Sequence, residues 1–235
     1  MPHPLYDDWL VLTKRDAETL QPRRWVSGEV IEWFGLMLQY VNKYEEFSWL
    51  YCSTYTLSLI SMPRRPGEGF PVLAHENMLL FKWVLIPLHA DNHWSLVILD
   101  NDRSPTLPRR PTRILHADSL SMHTNFEAPL REYLRQQLRE LMPNVVSEAD
   151  ADDWISRVPL VKVQATQQTD ACNCGVFVMK YMQYVVLSRF RFADRIHLHG
   201  DAEWWWEELL EDLLEWTVYY NRRMPSYLSS TAPIS

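Results

Sequence analysis

The chain has 235 residues, 47% of them hydrophobic and 23% charged, with a formal net charge of −7. That length fits one large domain or two small ones and can bury a core without disulfide staples. The negative balance argues against a general binder of nucleic acid or anionic membrane, because both need basic patches.

Eleven Trp are well above ordinary usage, so aromatic packing or aromatic-lined surfaces should matter. Three cysteines, Cys52, Cys172 and Cys174, are an odd number that makes no disulfide framework and points to a reducing compartment. The first residues, MPHPLYDDWL, lack the basic-then-apolar pattern of a secretory signal. No apolar run approaches the roughly 18 residues of a membrane span. The expectation is a soluble intracellular protein of the nucleus or cytoplasm.

In chain order, Val30, Ile31, Phe34, Leu36, Met37, Leu38 and Val41 predict an amphipathic helix over residues 27–44. A second helical stretch is expected over 47–60, before the loop MPRRPGEGFP. Residues 81–87 and 94–99 read as strands, being short, apolar and rich in β-branched and aromatic side chains. NDRSPTLPRRP is a polar connection to a third strand at 112–116, which should lie antiparallel to its predecessor. Leu130, Tyr133, Leu134, Leu138 and Leu141 recur at helical spacing, giving a helix over 129–142. PNVVSEADADD reads as an acidic connection and residues 160–163 as a short strand. Residues 174–188 are apolar nearly all round, as in a buried helix. A last helix, acidic on its exposed side, is expected over about 201–222. Helices at both ends with strands and a helix between make an α+β fold, and nothing divides residues 1–235 into two domains.

The segment QTDACNCGVF carries the most chemistry. A thiol nucleophile must be thiolate near neutral pH and must reach a carbonyl carbon. Cys174 opens the apolar helix, where backbone N–H groups and the helix dipole favour an anion. Gly175 puts no side chain in the way of a substrate backbone. Taken alone, the same cysteine also fits a buried structural role. Acyl transfer further needs an imidazole to move the proton and an acceptor to hold that imidazole's tautomer. His93 begins a strand after a loop and Asp118 ends the next, so the two could meet. Otherwise His93 is a surface loop histidine and Asp118 a turn residue.

These positions resemble the ubiquitin-like-protein proteases, papain-like cysteine peptidases that process SUMO and remove it from targets. The shared order is His93-Trp94, Asp118-Ser119, Gln168 six residues before the cysteine, and Cys174-Gly175. Trp25-Val-Ser-Gly-Glu-Val-Ile31 stands where that family opens its domain with Trp-Leu-Asn-Asp-x-x-Ile, and Leu85-Ile86-Pro87 matches the strand before its histidine loop. The likeness covers about residues 9–190. It implies a central, mostly antiparallel sheet flanked by helices, with Cys174 as nucleophile, His93 as base and Asp118 as its orienting acceptor. Gln168 and the Cys174 N–H would then form the oxyanion hole. Asn173 replaces the family's Asp before the nucleophile, and Ser27-Gly28 replaces its Asn-Asp, which contacts the modifier. Cys172, without a following Gly, is an alternative nucleophile at the wrong spacing from Gln168, and Gln167 is likewise one residue out.

Trp25 and Trp94 are candidates for a slot admitting only a Gly-Gly tail, with Ser27 and Gly28 facing the modifier's body; either Trp could instead simply pack in the core. The triplet at 204–206 reads as core or patch. Cys172/Cys174 with His197/His199 lack the usual zinc spacings, so neither metal nor cofactor is expected. The expected function is a thiol hydrolase of SUMO or a related modifier, acting as a monomer. The same catalysis on ubiquitin, or a catalytically inactive modifier-binding module, are the competing readings.

Overall fold

Asp91 and Asn92 both take left-handed backbone conformations, with φ of 52° and 58°. That is what a two-residue type I′ hairpin requires, and Asn and Asp tolerate it best among residues with a side chain. The turn folds β2 (Trp83–Ala90) onto β3 (His93–Asn101), in antiparallel register from Ala90↔His93 to Trp83↔Asp100. It thereby fixes His93 as the first residue of its strand. β4 (Pro111–Ala117) pairs antiparallel with the other edge of β3, with Leu96 opposite Ala117.

The computed structural model describes residues 12–21, 23–42, 48–62, 77–102, 108–122, 125–143, 146–200, 205, 208 and 211. Within them the main sheet runs β1-β2-β3-β4-β5. β1 (Trp49–Tyr51) adds parallel to β2, and β5 (Leu160–Lys162) parallel to β4. The antiparallel expectation therefore holds for the long central pairs, while the two short edge strands make the sheet mixed. β6 (Gln164–Ala165) and β7 (Arg195–Ile196) form a separate parallel pair.

Both faces of the central strands are covered, which is why they read as continuous apolar runs. Leu85, Leu96, Ile98 and Leu115 point to α2 (Gly28–Val41) and α6 (Cys174–Leu187). Val84, Ile86, Val97, Leu99 and Ile114 point to the side of α3 (Thr56–Ile60), α4 (Glu127–Leu141) and α5 (Glu148–Ser156). Eleven of the fourteen α6 residues are buried. Each large apolar side chain among them stabilises the fold by about 1.5–3 kcal/mol. Lys180, the one charged residue of α6, is buried and anchored by Gln183 Oε1 at 2.8 Å and Glu208 at 2.7 Å.

Three stretches differ from the sequence reading. The helix expected over 47–60 is β1 followed by α3, because Trp49, Leu50 and Tyr51 are buried on both faces of a strand. The acidic connection contains α5, capped by the Ser147 hydroxyl, which accepts from the Asp150 N–H at 3.1 Å. Ahead of α2 lies a short α1 (Lys14–Thr19), with a 3-10 turn at Met78–Leu80 before β2. The terminal helix expected at 201–222 falls almost wholly outside the described residues, although Trp205, Glu208 and Glu211 are helical.

Candidate active site

Cys174 is the first residue of α6 and is buried. At that position its backbone N–H has no acceptor within the helix. The loop before it is tied by Asp170, whose Oδ1 accepts from the N–H groups of Cys172 at 2.8 Å and Asn173 at 2.9 Å. Asp170 Oδ2 accepts from the Asn173 side-chain amide at 2.8 Å. Burial opposes the charge on Asp170, but these bonds outweigh it and hold the carboxyl below its usual range. The carboxylate missing immediately before the nucleophile is thus present three residues earlier in the chain, reaching the same loop through Asn173.

Asp170 also separates the two thiols. Cys172 Sγ lies 3.4 Å from Asp170 Oδ1, and burial together with that carboxylate pushes its pKa up. A neutral thiol beside a fixed negative charge is a poor nucleophile. Cys174 instead lies within hydrogen-bonding reach of His93.

His93 opens β3 and Asp118 follows the end of β4, and the antiparallel register brings them together. His93 Nε2 lies 2.7 Å from Asp118 Oδ1. With Nε2 on the carboxylate, Nδ1 is the ring nitrogen left for the Cys174 side. Burial opposes a charged imidazole, but the Asp118 carboxylate and the Cys174 sulfur outweigh it and push the His93 pKa up to about 9. Burial likewise disfavours charge on Asp118, yet the bond to His93 and one from the Leu120 N–H, at 2.9 Å, hold it below the usual carboxylate range.

Gln168 is buried beside them. Its Oε1 accepts from the Ser119 hydroxyl at 2.5 Å, its amide nitrogen donates to Asp170 O at 2.7 Å, and its N–H donates to Ser119 O at 3.0 Å. One amide proton remains for another acceptor. Gln167 points the other way and fastens the loop after β4: its amide donates to Asp118 O at 2.9 Å and Ala165 O at 3.0 Å, and its Oε1 accepts from Ser121 at 3.1 Å. Sequence reasoning left Gln167 and Ser119 without these tasks. The one available signal was that both sit next to a candidate catalytic residue.

Trp94 is only 8% exposed, while Trp25 is 54% exposed. The Trp94 ring lies against His89 at 4.4 Å. A Cβ on Gly28 would sit 3.5 Å from the far edge of the same indole, so Gly28 and Trp94 are neighbours. Ser27, the N-cap residue of α2, turns its hydroxyl to Asp16 Oδ1 at 2.9 Å rather than capping the helix. Gly175 answers to packing inside the protein: a Cβ there would meet Val26 Cβ at 2.8 Å, so α6 needs Gly to approach the segment before α2. Among the described residues no group of three or more His, Cys, Asp or Glu could hold a metal ion.

Comparison with known proteins shows the family and the fold. The family model for the Ulp1 protease family, C-terminal catalytic domain, matches residues 71–192. Human sentrin-specific protease 2 is 24% identical over 180 residues, covering 75% of this chain and 28% of that protein. The chain therefore spans between about a fifth and a third of the length of the curated relatives it matches. A crystal structure of a de-sumoylating protease superposes with a TM-score of 0.68 at 17% identity, covering 91% of this chain and 89% of the other. The yeast protease domain solved in complex with Smt3, the yeast ortholog of SUMO, gives 0.58 at 20% identity, covering 88% and 86%. At those identities the structural likeness establishes the fold alone.

Proposed function

The chain belongs to the Ulp1 protease family, and from that premise we propose that it is a thiol peptidase cleaving after the Gly-Gly tail of a ubiquitin-like modifier, SUMO foremost, in precursor processing, deconjugation or both. The observation that carries this reading is the convergence of Cys174, His93 and Asp118 from three separate elements. The names of the relatives, a sentrin-specific protease and a de-sumoylating protease, support the choice of modifier. A thiolate stays reduced in the nucleus or cytoplasm, and the same reading has the enzyme work there, as a monomer.

The chemistry follows from the residues. The Cys174 thiolate attacks the carbonyl carbon of the tail's last Gly, and the oxyanion is met by the free Gln168 amide proton and the Cys174 N–H. Protonated His93 gives its Nδ1 proton to the departing amine as the C–N bond breaks, leaving an acyl-thioester. His93 then takes a proton from water, whose oxygen attacks the thioester. The tail carboxylate and the thiol are released. Asp118 keeps the ring oriented throughout. The expected Trp25–Trp94 slot is revised: Trp94 with its neighbour Gly28 would border the tail's path, while exposed Trp25 would face the modifier's body with Ser27.

Fluorogenic SUMO and ubiquitin reporters, and the same modifiers carrying a C-terminal electrophile, test the proposal. The SUMO reporter should be cleaved and the SUMO probe should label Cys174. Labelling by ubiquitin alone would move the reading to another modifier. Labelling of Cys174 by neither would leave a modifier-binding module.

A further inference from the structure

Beneath the His93–Asp118 pair lies a second buried histidine pair that the mechanism does not use. His116 Nε2 lies 2.9 Å from Ser95 Oγ, and the imidazole packs on Phe126 at 4.8 Å between ring centres. Both polar residues are buried.

Side chains two apart on a strand share a face, so His93 and Ser95 lie on one side of β3, and His116 and Asp118 on the same side of β4. With Leu96 opposite Ala117, one further step sets Ser95 opposite Asp118. The Ser95–His116 bond is then the same diagonal contact as His93–Asp118, repeated one step deeper into the sheet. The four residues, His93, Asp118, Ser95 and His116, thus line up along one face of the β3–β4 pair.

Among the four, Asp118 is unevenly served. Its Oδ1 takes both His93 and the Leu120 N–H, while its buried Oδ2 has no hydrogen-bond partner among the described residues. A bare oxygen on a buried carboxylate is costly unless polar groups surround it. His116 and Asp118 lie close enough on this face to influence each other's protonation.

We propose that His116, held by Ser95, is a positioning residue that keeps Asp118 ionised and turned toward His93. The groups that face His116 are Asp118 on its own strand, His93 on β3 and Lys162 on β5. Burial, the largest influence on it, keeps the ring neutral below the usual histidine range. A neutral ring, fixed by its hydrogen bond to Ser95, acts on the carboxylate through its dipole and does not compete with His93 for it.

The role rests on the catalytic reading above, so its test includes a measurement that needs no modifier. The rate of Cys174 alkylation by iodoacetamide is followed against pH, with the modified peptide identified by mass spectrometry, in wild type, His116→Phe, His116→Gln and Ser95→Ala. His116→Phe should leave a folded protein in which the imidazolium is less well held, moving the acid midpoint of alkylation up by about half a pH unit. On a SUMO reporter it should lower kcat about tenfold with KM unchanged, a fraction of what general acid–base catalysis supplies. His116→Gln, which can still reach Ser95, should restore most of both. Ser95→Ala breaks the same bond with a smaller loss of volume, so it carries the test if His116→Phe does not fold. Wild-type alkylation profiles in folded His116→Phe and Ser95→Ala would overturn the proposal. So would a His116→Gln variant as impaired as His116→Phe, since ring packing on Phe126 would then be the whole effect. If no reporter is cleaved even by wild type while the alkylation midpoint moves as expected, the positioning role stands and the choice of substrate falls.

Discussion

His93 and Asp118 stand at the same end of neighbouring antiparallel strands, and their side chains meet at 2.7 Å although 25 residues separate them in sequence. The type I′ turn at Asp91-Asn92 sets the start of one strand, and the register of β4 sets the end of the other. The pair is thus built by the sheet rather than by flexible loops, which favours a fixed imidazole orientation. Asp118→Asn should keep the fold and lower kcat by about 10³-fold or more, because the amide supports the wrong tautomer. Reporter kinetics and a thermal melt together check this.

The same contact predicts a pH signature in stability. The His93 pKa is about 9 in the folded protein against an ordinary 6.5, so the folded state holds this proton more tightly than the unfolded chain does. Its stabilisation is complete below 6.5 and disappears as pH rises through 9. Tm measured across that window should fall for wild type and fall less for Asp118→Asn. An equal slope in both proteins would show that another group governs the alkaline side.

Cys174→Ala should abolish hydrolysis while preserving the fold and modifier binding. Cys172→Ala should hydrolyse at close to the wild-type rate, because its thiol is kept neutral beside Asp170. Initial rates on one reporter, with labelling by an electrophilic modifier, separate the two. Activity that survived loss of Cys174 but not of Cys172 would reverse the assignment.

Gln168→Ala should lower kcat by about 10²–10³-fold with little change in KM, as for one lost oxyanion donor. Ser119→Ala should have a smaller effect in the same direction, since the Ser119 hydroxyl fixes which way the Gln168 amide faces. Gln167→Ala should cost about 1 kcal/mol of stability through the lost anchor on the Asp118 carbonyl, with a mild effect on rate. Steady-state kinetics and denaturant unfolding of the three variants would distinguish these roles.

Gly175→Ala should destabilise the protein by about 1–3 kcal/mol, because the new methyl meets Val26 Cβ at 2.8 Å. Val26→Gly in the same chain removes that Cβ, so it should cost less in the Gly175→Ala background than alone. Calorimetric melts of the two single variants and the double variant would measure the coupling.

The central strands and the buried helix at Cys174 were legible because each rests on a strong local pattern, whereas Cys174, His93, Asp118 and Gln168 were singled out by their order along the chain, which resembles that of a known family. β1 was hidden because Trp49-Leu50-Tyr51 is three residues long and buried on both faces, leaving no alternation to read. α5 was hidden because acidic residues fill its exposed side; its Ser147–Asp150 cap was the available clue. The alignment of Ser95 and His116 with the dyad was illegible because it depends on register: the two are unremarkable until Leu96 is set opposite Ala117. Gly175 was read for substrate access, while its close neighbour is Val26, a contact across 149 positions (175 − 26) that local sequence does not encode.

That contact also constrains how such an enzyme can change its preferences. Val26 is wedged between two residues on the candidate modifier face, Trp25 and Ser27, and presses on the first turn of the helix that carries the nucleophile. On the proposed reading, recognition and chemistry therefore share one hinge-less joint. If Trp25, Ser27 and Gly28 face the modifier as proposed, they can be exchanged to suit a different one so long as the backbone between them stays put. An insertion or a bulky side chain at position 26 would shift the sulfur itself, so new specificities should arise by swapping side chains on either side of Val26 rather than by remodelling the segment.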